Sequence, residues 1–202
     1  VNARDLLMKL AYNNWDMGEP GVLFWDRIRD WNLLSEYENF EYAGVNPCAE
    51  EPLPAGGSCL LGSLNLAEFV TESGDFDFDA LADATFTATI ALNEVLDEGL
   101  PLHPLQIQRD SVHDWRQIGL GVFGIADMLI KMGVRYGSKE SLDLCDVIAK
   151  YILNYSVMAS ATLAANNGKA FPKYDKNRTM QSEFFRSNLW DGTNEAVMCN
   201  GL

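Results

Sequence analysis

The sequence predicts a helix-rich α/β fold. Long stretches of apolar residues at helical period fall at about 78–98, 111–132 and 139–166. Between the first helical segment and these lies an extended stretch, rich in proline and glycine, from Asn46 to Leu66. At 202 residues the chain is long enough to bury a core as one domain.

In order along the chain, residues 3–17 read as a helix. Leu7, Leu10, Ala11 and Trp15 are spaced for one face, and Gly18-Glu-Pro-Gly21 stops it. Val22-Leu-Phe-Trp25 is a short apolar run that suits a strand or a buried turn, and residues 29–45 read as irregular, aromatic and acidic. Asp75-Phe-Asp-Phe-Asp79 supplies N-cap candidates for a helix at about 78–98, with Leu81, Ala84, Ala88, Leu92 and Val95 on its apolar face and Gly99 at its end. Leu100-Pro-Leu-His-Pro104 is a linker. A helix over 111–132 closes at Gly133, and another runs from Lys139, capped by Ser138, to about Asn166, closed by Gly168. The segment 171–202 reads as a polar, irregular tail with a short helix at 179–188.

Composition narrows the function. A formal net charge of −14 opposes electrostatic binding to nucleic acid or an anionic membrane, although a local loop can still hold a nucleotide. There is no run of eighteen apolar residues and no signal peptide pattern. Four cysteines at irregular spacing do not form a secreted disulfide framework, and a cytoplasmic, reducing location fits them. With no C-x-x-C pair and two histidines, a metal site has little support.

The chemistry concentrates in Asn46-Pro47-Cys48-Ala49-Glu50. In an extended segment residues i, i+2 and i+4 share a face, so Asn46, Cys48 and Glu50 would converge as amide, thiol and carboxylate. Cys59 follows eleven residues after Cys48 across a turn-rich link. The same residues also fit a small buried thiol beside surface charge, and spacing alone does not choose.

The wider string does. Asn46-Pro-Cys-Ala-Glu-Glu-Pro-Leu-Pro-Ala-Gly-Gly-Ser-Cys59-Leu-Leu-Gly-Ser-Leu-Asn-Leu-Ala67 resembles the active-site finger loop of the ribonucleotide reductase large subunit. Gly18-Glu-Pro-Gly-Val-Leu-Phe-Trp-Asp-Arg-Ile28, Arg116-Gln-Ile-Gly-Leu-Gly-Val-Phe-Gly-Ile-Ala-Asp127 and Tyr136-Gly-Ser-Lys-Glu140 resemble flanking segments in the same order. The resemblance runs from about residue 4 to the C-terminus. It implies part of a ten-stranded α/β barrel, with residues 1–202 a partial catalytic domain. The chain opens at Val1-Asn-Ala-Arg-Asp5 without Met and stops at Asn200-Gly201-Leu202, and is read as an internal fragment. The expected missing parts are an upstream half with an effector site and a further redox cysteine, and a downstream phosphate-binding loop.

What the resemblance implies for the site is specific. Cys48 would carry a thiyl radical that removes the ribose 3′ hydrogen. Glu50 would take the 3′-hydroxyl proton, and Asn46 would hold the sugar hydroxyls. Cys59 would be half of the reducing dithiol. The short Cys48–Cys59 interval and Pro47 resemble the adenosylcobalamin-dependent class more than the di-iron class with its separate radical-generating subunit. Ala49 stands where that class often has Gly, and Glu51 where it often has Gln. Implied partners are a ribonucleoside di- or triphosphate, nucleotide effectors, a thioredoxin-like or dithiol reductant and a second copy in a homodimer. The fragment alone is expected to be inactive, and a non-catalytic helical scaffold retaining the motif is the contrasting reading.

Other candidates are weaker. Gly119-Leu-Gly121-Val-Phe-Gly124 matches G-x-G-x-x-G, with Asp143 about twenty residues on. Its flank Asp110–Gln117 reads as helical, so the glycines are taken as helix-packing positions rather than a dinucleotide fingerprint. Cys145 reads as a core thiol, and Cys199 has no evident partner. A Cys48–His103 thiol hydrolase has no supporting signature, and His113 sits on a polar helix.

Overall fold

The computed structural model describes all of residues 1–202. Helix α1 (Ala3–Met17) starts where the Asn2 side chain accepts the Arg4 N–H and ends at Gly18, whose left-handed φ of 74° closes it. Nothing in the chain covers its apolar face, and Leu7 and Trp15 remain exposed. Val22–Phe24 is neither strand nor buried turn. All three side chains are exposed, and α2 (Trp25–Asp30) begins directly after them.

Strands β1 (Tyr42–Val45) and β2 (Pro52–Pro54) form an antiparallel pair, and the 29–45 segment is thus partly ordered into α2 and β1. Strand β3 (Leu60–Asn65) runs into a 3-10 turn at Leu66–Phe69, then α3 (Phe78–Gly99) and α4 (Gln106–Trp115). Asp77 caps α3 by accepting the Ala80 N–H at 2.9 Å. The chain returns as β4 (Ile118–Phe123), which pairs in parallel with β3 from Leu60↔Ile118 to Asn65↔Phe123. This β–α–α–β crossover is the organising unit of the chain.

The single helix expected over 111–132 therefore does not form. Arg116 turns left-handed at φ 51° and ends α4. Gly124, at φ 73°, starts α5 (Ile125–Met132), and the intervening residues become β4. Gly119 and Gly121 lower helix propensity, while Ile118, Val122 and Phe123 favour a strand. The flank from Asp110 is helical as expected, within α4, but a strand and not a helix carries the first two glycines. Gly119 and Gly121 lie inside β4, opposite Leu61 and Ser63. Only Gly124 separates strand from helix, too little for a phosphate-cradling loop.

Helix α6 (Lys139–Asn167) is capped at Ser138 and closed by Gly168, as its sequence predicts. It is long and apolar enough to cross a bilayer by length and composition. Here it packs between α3 and α9 (Asp191–Asn200) as a core helix. The expected irregular tail is instead three short helices, α7 (Lys176–Gln181), α8 (Glu183–Asn188) and α9. They fold because Phe185 and Val197, both fully buried, close a cluster with Val157, Ala161, Leu189 and Leu202. Asn154 on α6 fixes this corner: it donates to Lys150 O and Asn188 O, and accepts the Trp190 N–H at 2.8 Å. A second cluster, Leu66, Phe76, Leu81, Met128, Leu129 and Ile148, cements α3, α5 and α6 around the end of β3. The fold is thus a helix-rich α/β assembly with two strand pairs.

Candidate active site

The residues 46–50 do not form an extended strand. They make the tight turn that joins β1 to β2. The Ala49 N–H donates to Asn46 O at 3.0 Å, and the Glu51 N–H donates to Asn46 Oδ1 at 3.0 Å. The alternate-face argument for Asn46, Cys48 and Glu50 therefore fails. The three residues share one turn and not one face of a strand. Ala49 holds φ 67°, a left-handed conformation that glycine adopts more easily. Cys48 and Glu50 are exposed on this turn, and Asn46 is half-buried at its base. The Asn46 side-chain oxygen is engaged by the turn, while its amide N–H groups have no partner within the chain.

Cys59 occupies a different environment. It is half-buried immediately before β3, and its thiol is held protonated, its pKa pushed up to about 12. Burial is the largest cause, followed by the adjoining Glu51 carboxylate and the charge of Glu50, while the thiol also reaches the Leu60 carbonyl oxygen at 4.0 Å. Gly119 makes this arrangement possible. A side-chain carbon there would stand 2.5 Å from both Cys59 Sγ and Glu51 Oε1, and 2.7 Å from Leu61 Cδ2. The glycine inside β4 is thus the floor on which thiol and carboxylate meet, and not a helix-packing position. Periodicity gave no sign of this role, nor of Glu51. The signal available was the pair of glycines alternating with Ile118, Leu120 and Val122, which marks a strand that something approaches closely.

Beyond Glu51 opens a cavity of about 640 Å³, lined among others by Glu51, Asn93, Trp115, Arg116, Gln117 and Phe171. Arg116 is committed to Asp97 at 2.8 Å and to Asn93, and so does not neutralise Glu51. Gln117 Oε1 is buried there without a partner. Cys48, Asn46 and Glu50 do not line this cavity. Of the remaining candidates, His113 lies in the last turn of α4, 3.0 Å from Asp114, and His103 offers only its backbone oxygen, to Arg109. Cys145 is half-buried on α6, Cys199 is exposed on α9, and all four cysteines are free thiols.

The arrangement is an α/β unit with an exposed thiol and carboxylate on the β1–β2 turn, and a half-buried thiol beside a second carboxylate at the start of a parallel strand pair. The family model described as "Ribonucleotide reductase, barrel domain" matches residues 1–202, and the chain belongs to that family. It is similar to the vitamin B12-dependent ribonucleoside-diphosphate reductase of Thermoplasma acidophilum, 35% identical over 174 residues, covering 86% of this chain and 22% of that protein. The enzyme of the same description from Mycobacterium tuberculosis (strain H37Rv) is 34% identical over 178 residues, covering 88% of this chain and 24% of the relative. A ribonucleoside-diphosphate reductase large subunit of African swine fever virus (strain Badajoz 1971 Vero-adapted) is 32% identical over 179 residues, covering 85% of this chain and 23% of the relative. The chain thus spans about a quarter or less of the length of these relatives.

Proposed function

We propose that this chain is the part of a ribonucleotide reductase that carries its radical thiol and one of its reducing thiols, within a ten-stranded barrel completed by the rest of a longer protein. The observation that carries this reading is the contrast between the two cysteines. Cys48 stands exposed on a tight turn, where an external radical donor can reach it, while Cys59 is sheltered and kept as a neutral thiol beside a carboxylate. Those are the requirements of a radical carrier and of a hydrogen-donating reductant.

In this reading Cys48 takes the 3′ hydrogen of the ribose. Glu50, exposed on the turn, accepts the 3′-hydroxyl proton as general base. Asn46 turns its free amide N–H groups to the sugar hydroxyls, its oxygen being held by the turn. The 2′-hydroxyl leaves as water. Cys59 and a second thiol outside this chain give up two electrons and two protons and end as a disulfide, and Cys48 returns its hydrogen to C3′. The sum is one ribonucleotide and two thiols converted to one deoxyribonucleotide, one disulfide and one water. An external dithiol then restores the thiols by exchange.

Adenosylcobalamin supplies the initiating radical when bound, the reading favoured by relatives named as vitamin B12-dependent. This chain fits that group in one respect, the exposure of Cys48 on its turn. A viral large subunit of comparable identity keeps the partner-subunit class as the competing radical source. The full-length protein decides between them. Ribonucleotide reduction by the purified protein with adenosylcobalamin alone is expected, and activity only with an added metal-containing subunit would reassign the class. No reduction under either condition would favour the non-catalytic scaffold.

A further inference from the structure

We propose that Glu51 is the positioning residue of the reducing thiol, holding Cys59 against the glycine floor of β4 with its S–H directed to the carboxylate. The proposal rests on the reductase reading for its purpose, though not for its geometry. Three observations carry it. Glu51 Oε1 and Cys59 Sγ converge on the same point beside Gly119, sharing the space a single methyl group would fill. Glu51 is half-buried and takes part in no ion pair, and the nearest guanidinium lining the same cavity, Arg116, is already bound to Asp97 and Asn93. Finally, Glu51 is anchored from the backbone. Its N–H and C=O pair with Asn46 across the turn, so the residue next to the Cys48 loop also fixes the side chain that reaches Cys59.

The consequence is a thiol kept in its hydrogen-carrying form. A carboxylate next to a sulfur disfavours the thiolate twice, by like charge and by accepting a hydrogen bond that only the protonated thiol can donate. The groups acting on Cys59 are Glu51 first and Glu50 more weakly, and no cation contributes to the shift. Glu51 also lines the cavity on its far side, which gives the pair a route to exchange a proton with solvent without exposing the sulfur.

The test uses the full-length protein and reads the alkylation rate of Cys59 by mass spectrometry of its peptide across pH 7.5–10.5. In the parent protein Cys59 reacts slowly with iodoacetamide until high pH. Glu51→Gln keeps the size and a hydrogen-bonding oxygen but removes the charge. It should move the profile down by about one unit and speed alkylation of Cys59 near pH 8.5 about tenfold, since thiolate fraction controls the rate. Glu51→Asp should restore part of the slow profile. A profile unchanged in Glu51→Gln overturns the proposal. Turnover separates this from the larger reading: normal cycling by Cys59→Ser would remove the reducing role of Cys59, while the alkylation shift in Glu51→Gln would still establish the pair.

Discussion

Gly119→Ala is the sharpest structural perturbation of the site. The added methyl would meet Cys59 Sγ and Glu51 Oε1 at 2.5 Å and Leu61 Cδ2 at 2.7 Å. Ordinary contacts between such atoms fall at about 3.5–4.0 Å, so each neighbour must retreat by roughly 1 Å. Leu61 is 65% exposed and yields easily, as does the end of the Glu51 side chain. Cys59 sits on a short side chain at the entry to β3 and can move only by changing rotamer or by shifting β3 against β4. Overpacking of this kind costs about 1–3 kcal/mol, partly offset by the roughly 0.4–1 kcal/mol that Gly→Ala gains through the unfolded chain. A net loss of about 1–2 kcal/mol is expected, with the Cys59–Glu51 contact broken. Gly121→Ala is the control two residues along the same strand, where the methyl meets Ser63 Oγ at 3.5 Å and nothing must move. Urea unfolding of the full-length protein and its variants, with Cys59 alkylation in parallel, measures both effects. Equal stability of the two variants, or an unaltered Cys59 in Gly119→Ala, would refute the reasoning.

Ala49→Gly should stabilise the turn, because Ala49 holds a left-handed φ of 67° that costs an L-residue about 1–2 kcal/mol. A fall in the unfolding midpoint would contradict it. Asn154→Ala should cost about 1–3 kcal/mol, since the Trp190 N–H and Asn188 C=O lose the partner that the fully buried Asn154 side chain supplies, and calorimetry of the variant checks this. Stability should fall as pH rises from about 9 to 12. Cys59 and Tyr174, with reference values of 9.0 and 10.0, are both raised to about 12 when folded. The unfolded chain therefore releases protons over that window that the folded chain keeps. Cys59→Ser should lessen the decline, and urea midpoints across that range measure it.

Much of the fold was legible because local signals agreed with tertiary packing. Ser138 and Gly168 bound α6, and Asp77 opens α3, where caps and apolar period point the same way. The segment 111–132 misled because Leu120, Met128 and Leu129 mimic helical spacing across a region where three glycines and a parallel partner impose a strand. The tail was misread because its burial depends on α6, which lies far back in sequence: Phe185 and Val197 look isolated until they meet Val157. At the site, Cys48, Glu50, Asn46 and Cys59 were visible through their motif, but their geometry was not. The turn at Ala49 replaces the expected pleat. Glu51 and Gly119 emerge only when β4 is laid beside β3, a pairing of residues 58 positions apart that no local pattern reports.

The central claim is that the sulfur of Cys48 starts the chemistry. Its most direct test is ribonucleotide reduction by the full-length protein carrying Cys48→Ser, assayed under the conditions that support the parent protein. An O–H bond is too strong to be opened by the donor that opens S–H. Turnover should fall by at least about a thousandfold, equivalent to about 4 kcal/mol of barrier, while folding and nucleotide binding stay close to those of the parent. A Cys48→Ser protein that retains substantial turnover would contradict the account.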